Sequence, residues 1–101
     1  MGADDPSLAA RRMAVAIIRG HLPDPAYKLF LFGSRASGKA HPRSDVDIGI
    51  EGPGPVPYET LAAIMAELEE APTLFTLEVV DFKRMPEQFR VVALAHIRPA
   101  P

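Results

Sequence analysis

The spacing of apolar residues along the chain predicts three helices. Asp5-Pro6 is a pair typical of a helix start, and apolar residues then recur at helical spacing as far as Ile18. His21 is predicted to lie in the solvated loop that follows this first helix. The clearest amphipathic helix is predicted over Tyr58–Glu70 and is read as scaffold; its apolar stripe is Leu61, Ile64, Met65 and Leu68. A last helix is predicted over Pro86–Ile97, followed by a frayed RPAP tail.

Three β-rich runs lie between these helices. Tyr27–Phe32 is apolar on both faces apart from Lys28, which is typical of an internal strand. The run 45–51 alternates, so that three apolar residues face one way and Asp45, Asp47, Gly49 and Glu51 face the other. Thr73–Phe82 is the third run. These elements predict a two-layer α/β domain (α+β) with a small mixed sheet of three or four strands and helices on one face.

The polar faces of these strands carry the candidate chemistry. Side chains two apart on a strand share a face, so Asp45 and Asp47 can converge on one hard cation such as Mg²⁺. Gly49 leaves room on the same face, whereas Glu51 lies about 13 Å further along and is read as a solvated strand end. Gly33-Ser34 ends the first strand, where backbone N–H groups and a hydroxyl suit phosphate oxygens.

Composition limits the function classes. The 101 residues fit one domain, 1–101, and the net charge of −2 gives no strong sign of nucleic-acid binding. The sequence has no cysteine, no apolar run as long as a membrane span and no signal-peptide pattern at its N-terminus. We therefore expect a cytoplasmic protein that does not enter a membrane.

Gly33-Ser34, ten intervening residues and then Asp45-Val46-Asp47 resemble the signature of the DNA polymerase beta superfamily of nucleotidyltransferases. The short chain and its GSRASGKA segment are most similar to the minimal nucleotidyltransferases, which are often the antitoxin half of HEPN toxin pairs. The similarity extends over about residues 8–97 and implies the nucleotidyltransferase fold.

The resemblance also implies roles for site residues. Gly33, Ser34 and Arg35 would bind the triphosphate, while Lys39 and Arg43 add positive charge nearby or belong to a solvated basic loop. Ser37 stands where the family more often has Arg or Lys. Asp45 and Asp47 would be catalytic residues that hold Mg²⁺.

The third run offers two candidates for the family's third carboxylate, Glu78 and Asp81. They lie three apart, so only one of them can face the site. Glu78 shares its face with Thr76, whereas Asp81 shares the other with an apolar row; the pattern therefore favours Glu78 as a catalytic residue and metal ligand. The family usually has aspartate there, and a longer side chain can misplace the carboxylate enough to cost about a hundredfold in rate.

The chemistry that we expect is therefore Mg²⁺-dependent transfer of a nucleotidyl group, AMP from ATP, to a hydroxyl acceptor, with one or two Mg²⁺ ions. The resemblance implies that the acceptor belongs to a HEPN-type toxin and that the chain is the antitoxin, in a homo- or hetero-oligomer. Two alternatives remain open at this stage. The first is an antitoxin with weak or no catalysis that neutralises its partner by binding, and the weaker second is a small-molecule nucleotidyltransferase.

Overall fold

The computed structural model describes residues 7–32, 46–95 and 97–99 of the chain. In this part of the chain, helix α1 (Leu8–His21) precedes strand β1 (Lys28–Phe32), and strand β2 (Val46–Glu51) precedes helix α2 (Tyr58–Glu70). Strand β3 (Leu77–Asp81) runs into a 3₁₀ turn (Phe82–Arg84), then helix α3 (Glu87–Leu94) and strand β4 (Arg98–Pro99). The predicted phosphate-binding segment and Asp45 lie outside the described residues.

The four strands form one mixed sheet in the order β3-β2-β1-β4. β1 is antiparallel to both β2 and β4, whereas β2 and β3 are parallel. A parallel pair needs a crossover connection, and α2 supplies it. The predicted fold class, a small mixed sheet with helices against one face, is confirmed, and the helices on that face are α1 and α2.

The core lies between the sheet and helices α1 and α2. Each element contributes the residues that its periodicity brings to one side: alternate residues from the strands and every third or fourth residue from the helices. The fully or almost fully buried apolar side chains include Ala14, Ile18, Leu31, Val46, Ile48, Ile50, Ile64 and Leu68. Val56, in the proline-rich loop 52–57, is also completely buried and joins this core.

Several boundaries and surface residues differ from the sequence-based predictions. α2 has the predicted bounds, but β3 and α3 are shorter than predicted. The predicted frayed tail is wrong for its first two residues, because the backbone of Arg98–Pro99 pairs with β1 at the sheet edge. An edge strand is where a sheet tolerates a proline, which has no N–H to donate.

His21 is exposed, as predicted, but it does not lie in a loop. It ends α1, and its Nε2 atom lies 2.8 Å from Oε1 of Glu67 on α2, so it links the two helices. At the same end of α1, the Arg19 guanidinium donates to the carbonyl oxygens of Leu22, Asp24 and Tyr27. These contacts fix the path from α1 into β1.

Candidate active site

The face of the sheet opposite α1 and α2 carries the described candidate carboxylates. In the parallel ladder Asp47 of β2 is the register partner of Glu78 of β3. Register partners on adjacent strands point to the same face, and the strands of a sheet lie about 4.8 Å apart. Asp47 and Glu78 are therefore lateral neighbours on the open face.

Asp81 lies on the other face of β3 and has a structural role. Its side chain is only 4% exposed and accepts hydrogen bonds from the backbone N–H groups of Val56 and Lys83, at 2.7 and 3.0 Å. Arg84 Nε lies 3.4 Å from the same carboxylate. Asp81 thus joins the proline-rich loop to the 3₁₀ turn, and Glu78 is the acid of β3 that lies beside Asp47.

The end of β1 adjoins this pair of carboxylates. Phe32, the last residue of β1, is the register partner of Asp47, so the chain leaves the sheet toward Gly33 directly beside the β2 carboxylate. The predicted ligands Gly33, Ser34, Arg35, Lys39, Arg43 and Asp45 follow in the segment outside the described residues. Their roles stay predictions.

An aromatic cluster covers the middle of the open face. The ring of Phe82 is fully buried and meets Phe32 edge to face, with ring centroids 5.6 Å apart. A Cβ atom on Gly49 would overlap the ring of Phe82 at Cζ. The space above Gly49 is therefore filled by Phe82, and the expectation that this glycine makes room for the site is wrong.

Glu51 anchors the far end of the same face and is not a solvated strand end. Its Oε1 atom lies 3.0 Å from Nζ of Lys83 and 2.8 Å from Nη2 of Arg90, and its Oε2 atom accepts from Nε of Arg90 at 3.3 Å. Burial raises the pKa of Glu51, but the hydrogen bonds and charges of Arg90 and Lys83 outweigh it and hold that pKa below its ordinary value. These ion pairs attach α3 to β2.

The sequence pattern did not predict this division of the open face. Phe82, Lys83 and Arg90 cover the half toward the end of β2, which leaves Asp47 and Glu78 at its beginning. The one available signal was Gly49 itself, because a glycine inside a strand often marks the close approach of another group. Nothing in the local pattern identifies Phe82 as that group.

The chemistry of the two neighbouring carboxylates fits a divalent cation. Mg²⁺ prefers oxygen ligands, and one or two carboxylates with bound water and phosphate oxygens are its usual protein ligands. Among the described residues there is no cluster of three or more His, Cys, Asp or Glu side chains, and Asp45 lies outside them. Asp47 and Glu78 are thus the described residues that could hold the ion.

No described helix is long and apolar enough to cross a membrane.

Comparisons with known proteins agree with this fold. Among solved structures, the chain is similar to one described as "Crystal structure of the toxin-antitoxin with AMP-PNP", with a TM-score of 0.64 and 20% identity over 88% of this chain and 70% of that chain. At this identity the likeness shows the fold alone. A search among curated proteins found no match. The profile of the family "Polymerase beta, Nucleotidyltransferase" matches residues 24–97, which include β1, β2, β3 and both described carboxylates, and the chain therefore belongs to the polymerase beta nucleotidyltransferase family.

Proposed function

We propose that this chain transfers a nucleotidyl group, AMP from ATP, to a hydroxyl group of a partner protein in a toxin–antitoxin pair. The observation that carries the proposal is the pairing of Asp47 with Glu78 on the open face, beside the end of β1. Family membership and the similarity to a solved toxin–antitoxin support it. The partner would be a HEPN-type toxin, as the sequence resemblance implies.

In this reaction the acceptor oxygen attacks the α-phosphorus of the triphosphate. A new phosphorus–oxygen bond forms, the bond between the α-phosphorus and its bridging oxygen breaks, and pyrophosphate leaves. Bound Mg²⁺, held by Asp45, Asp47 and Glu78, would supply charge neutralisation for the phosphates. Glu78 would also orient the acceptor hydroxyl and accept its proton, because its side chain is exposed at the outer strand of the sheet.

The triphosphate would be bound where β1 ends. Gly33 and Ser34 would present N–H groups and a hydroxyl to the phosphate oxygens, and Arg35, Lys39 and Arg43 would add positive charge. Phe82 supports this arrangement from the same face, because its contacts with Phe32 and Gly49 fix the end of β1 against β2. A rigid support of this kind keeps reacting groups within the small tolerance that transfer requires.

A direct test uses the purified chain, Mg²⁺, ATP and the product of the adjacent gene. ATP labelled in the α-phosphate should leave covalent label on the partner protein, whereas ATP labelled in the γ-phosphate should leave none. Label from the γ-phosphate would mean phosphoryl transfer and would contradict the proposal. Glu78→Gln and Asp81→Asn are the matched variants: the first should reduce labelling of the partner, whereas the second, at a structural residue, should not remove it.

The second candidate function is an antitoxin that acts by binding alone. It is favoured by the glutamate at position 78, where the family usually has aspartate, because a longer side chain shifts the carboxylate. A tight complex between the two proteins with no label on any acceptor would support this candidate and overturn nucleotidyl transfer.

A further inference from the structure

The outer edge of β3 is free of any described strand, because β3 is the last strand of the sheet order. The backbone N–H of Val46 donates to the carbonyl of Thr76 at 2.8 Å, which fixes the direction of the backbone groups along β3. Since this direction alternates with a period of two, Glu78 and Val80 turn their N–H and C=O groups toward β2. Leu77 and Val79 turn theirs outward.

A cavity of about 580 Å³ adjoins this edge. β3, the segment 71–76 and the second half of α2 line it. Met65 belongs to the apolar stripe of α2 and lines this cavity with 53% of its surface exposed, and Leu74 is 79% exposed. Apolar surface therefore remains uncovered where the hydrogen-bonding groups of the backbone are directed outward.

These two features together select an extended peptide. An edge strand offers N–H and C=O groups at the spacing of a neighbouring strand, and alternate side chains of an added strand enter pockets on one face. A helix or a small ligand would leave the outward groups of Leu77 and Val79 without backbone partners. The cavity provides the apolar pocket for every second residue of the added segment.

The negative charge at the cavity indicates which side chains a bound segment should carry. Glu69 and Glu78 line the cavity, and none of the described residues that line it is Lys, Arg or His. Two copies of this chain joined edge to edge would bring four of these acidic side chains to one seam, and like charges across strands are destabilising. A segment with basic side chains is the complementary partner.

We propose that the free edge of β3 and its cavity bind an extended segment of a partner protein, with alternating apolar and basic residues, as an added strand. That this segment belongs to the toxin partner rests on the proposed function. An added strand lies about 4.8 Å from β3, so its side chains on the open face lie beside Glu78. The same edge would thus bind the partner and bring its side chains to the site.

Two synthetic peptides test the docking in the absence of nucleotide and Mg²⁺. One alternates Val with Lys over six residues, and the other alternates Val with Glu. Hydrogen exchange of the whole chain, followed by NMR, should show that the Lys peptide slows exchange of the Leu77 and Val79 amides. The Glu78 and Val80 amides, already directed toward β2, should change little. The Glu peptide should bind at least tenfold more weakly.

Variants of the cavity give matched controls. Leu74→Asp should weaken binding of the Lys peptide about tenfold, whereas Val92→Asp, at a residue of α3 that is 63% exposed and does not line the cavity, should not. Glu69→Lys should reduce the preference for the Lys peptide. Glu70→Lys, the next residue of α2 and not part of the lining, should leave that preference unchanged.

Three results would overturn the proposal. The first is no slowing at Leu77 and Val79 with either peptide, and the second is equal binding of both peptides that Leu74→Asp does not alter. The third is that exchange of these two amides slows without peptide as the protein concentration rises, together with a measured dimer mass. That result would show that a second copy of the chain covers the edge. If the Lys peptide docks but the partner protein receives no label from ATP, the proposed function alone is contradicted. If the partner is labelled but the peptide does not dock, this inference alone is contradicted.

Discussion

Asp47 and Glu78 lie side by side on parallel strands, thirty-one positions apart in the sequence but direct register partners in the sheet. Their neighbouring residues point the other way: Ile48 is fully buried in the helix-facing core, and Val79 is partly buried against it. A shift of either strand by one residue would move its carboxylate to the helix-facing side and force a charge into the core. Both carboxylates therefore stay on the open face. This constraint underlies the first two predictions.

The first prediction concerns the two acids of β3. Glu78→Gln keeps the shape of the side chain and removes its charge, so nucleotide should still bind while turnover falls by about 10²–10⁴. Asp81→Asn should instead lower the free energy of unfolding, because the buried carboxylate holds Val56 and Lys83. Rate and thermal unfolding measured on both variants check this. If Asp81→Asn lost turnover and Glu78→Gln did not, the catalytic acid would be Asp81, and the assignment of the site to the Glu78 face of β3 would be contradicted.

Glu78→Asp restores the side chain usual in the family and belongs with that experiment as a control. A site adapted to glutamate should lose activity when the carboxylate is drawn back by one methylene group. A gain in activity would indicate relaxed catalysis in the parent protein and would favour the binding-only antitoxin.

The second prediction concerns the metal. Asp47→Asn removes a charge next to Glu78, so Mg²⁺-dependent nucleotide binding should weaken strongly while the fold stays intact, because two adjacent carboxylates repel each other without a cation. Calorimetric titration of the magnesium–nucleotide complex, with circular dichroism as the control for folding, measures both effects. Unchanged affinity would contradict the assignment of Asp47 as a metal ligand.

The third prediction concerns Gly49 and the ring above it. Gly49→Ala should destabilise the protein by about 1–3 kcal/mol, because the new methyl group would overlap the buried Phe82 ring. Gly20→Ala, near the end of α1, is the matched control: outside its own helix backbone and chain neighbours no atom lies within 4 Å of the added Cβ, so the stability should not fall. Urea unfolding of the two variants measures the difference.

The loss of stability in the double variant Gly49→Ala with Phe82→Leu should be smaller than the sum of the two single losses, because the smaller side chain gives the methyl group room. Strict additivity of the two losses would show that the ring and the glycine do not interact.

The fourth prediction concerns pH. The pKa of Glu51 is lower in the folded protein than its ordinary value of about 4.5, so its ion pairs with Arg90 and Lys83 contribute stability that is fully present above that value. This contribution should be lost as the pH falls through the lower, folded-state pKa. Because the groups are partly exposed to solvent, which screens the pairs, the contribution should be small.

Unfolding free energies measured between pH 7 and pH 2 for the parent and Glu51→Gln check this expectation. The difference between the two proteins should shrink on acidification, and it should also shrink at neutral pH in high salt, which screens the pairs. A difference that stays constant with pH would show that Glu51 acts only through packing.

The sequence by itself determined the fold class, the α2 helix and the facing of β2 and β3. These features depend on local backbone geometry: the period of 3.6 in a helix and of two in a strand converts spacing directly into facing. For that reason alternation alone separated Glu78 from Asp81. The family motif added the expected roles of residues 33–45, which lie outside the described residues.

Tertiary structure alone decided which strands pair and what covers them. The Asp47–Glu78 register, the Phe82 ring over Gly49 and the Glu51–Arg90 ion pair each join residues far apart in the chain. The pairing of Arg98–Pro99 with β1, across almost seventy residues, has no local signal, because two residues carry too little pattern to mark a strand. The same holds for the free edge of β3, since whether a neighbour covers an edge depends on the order of strands in the sheet.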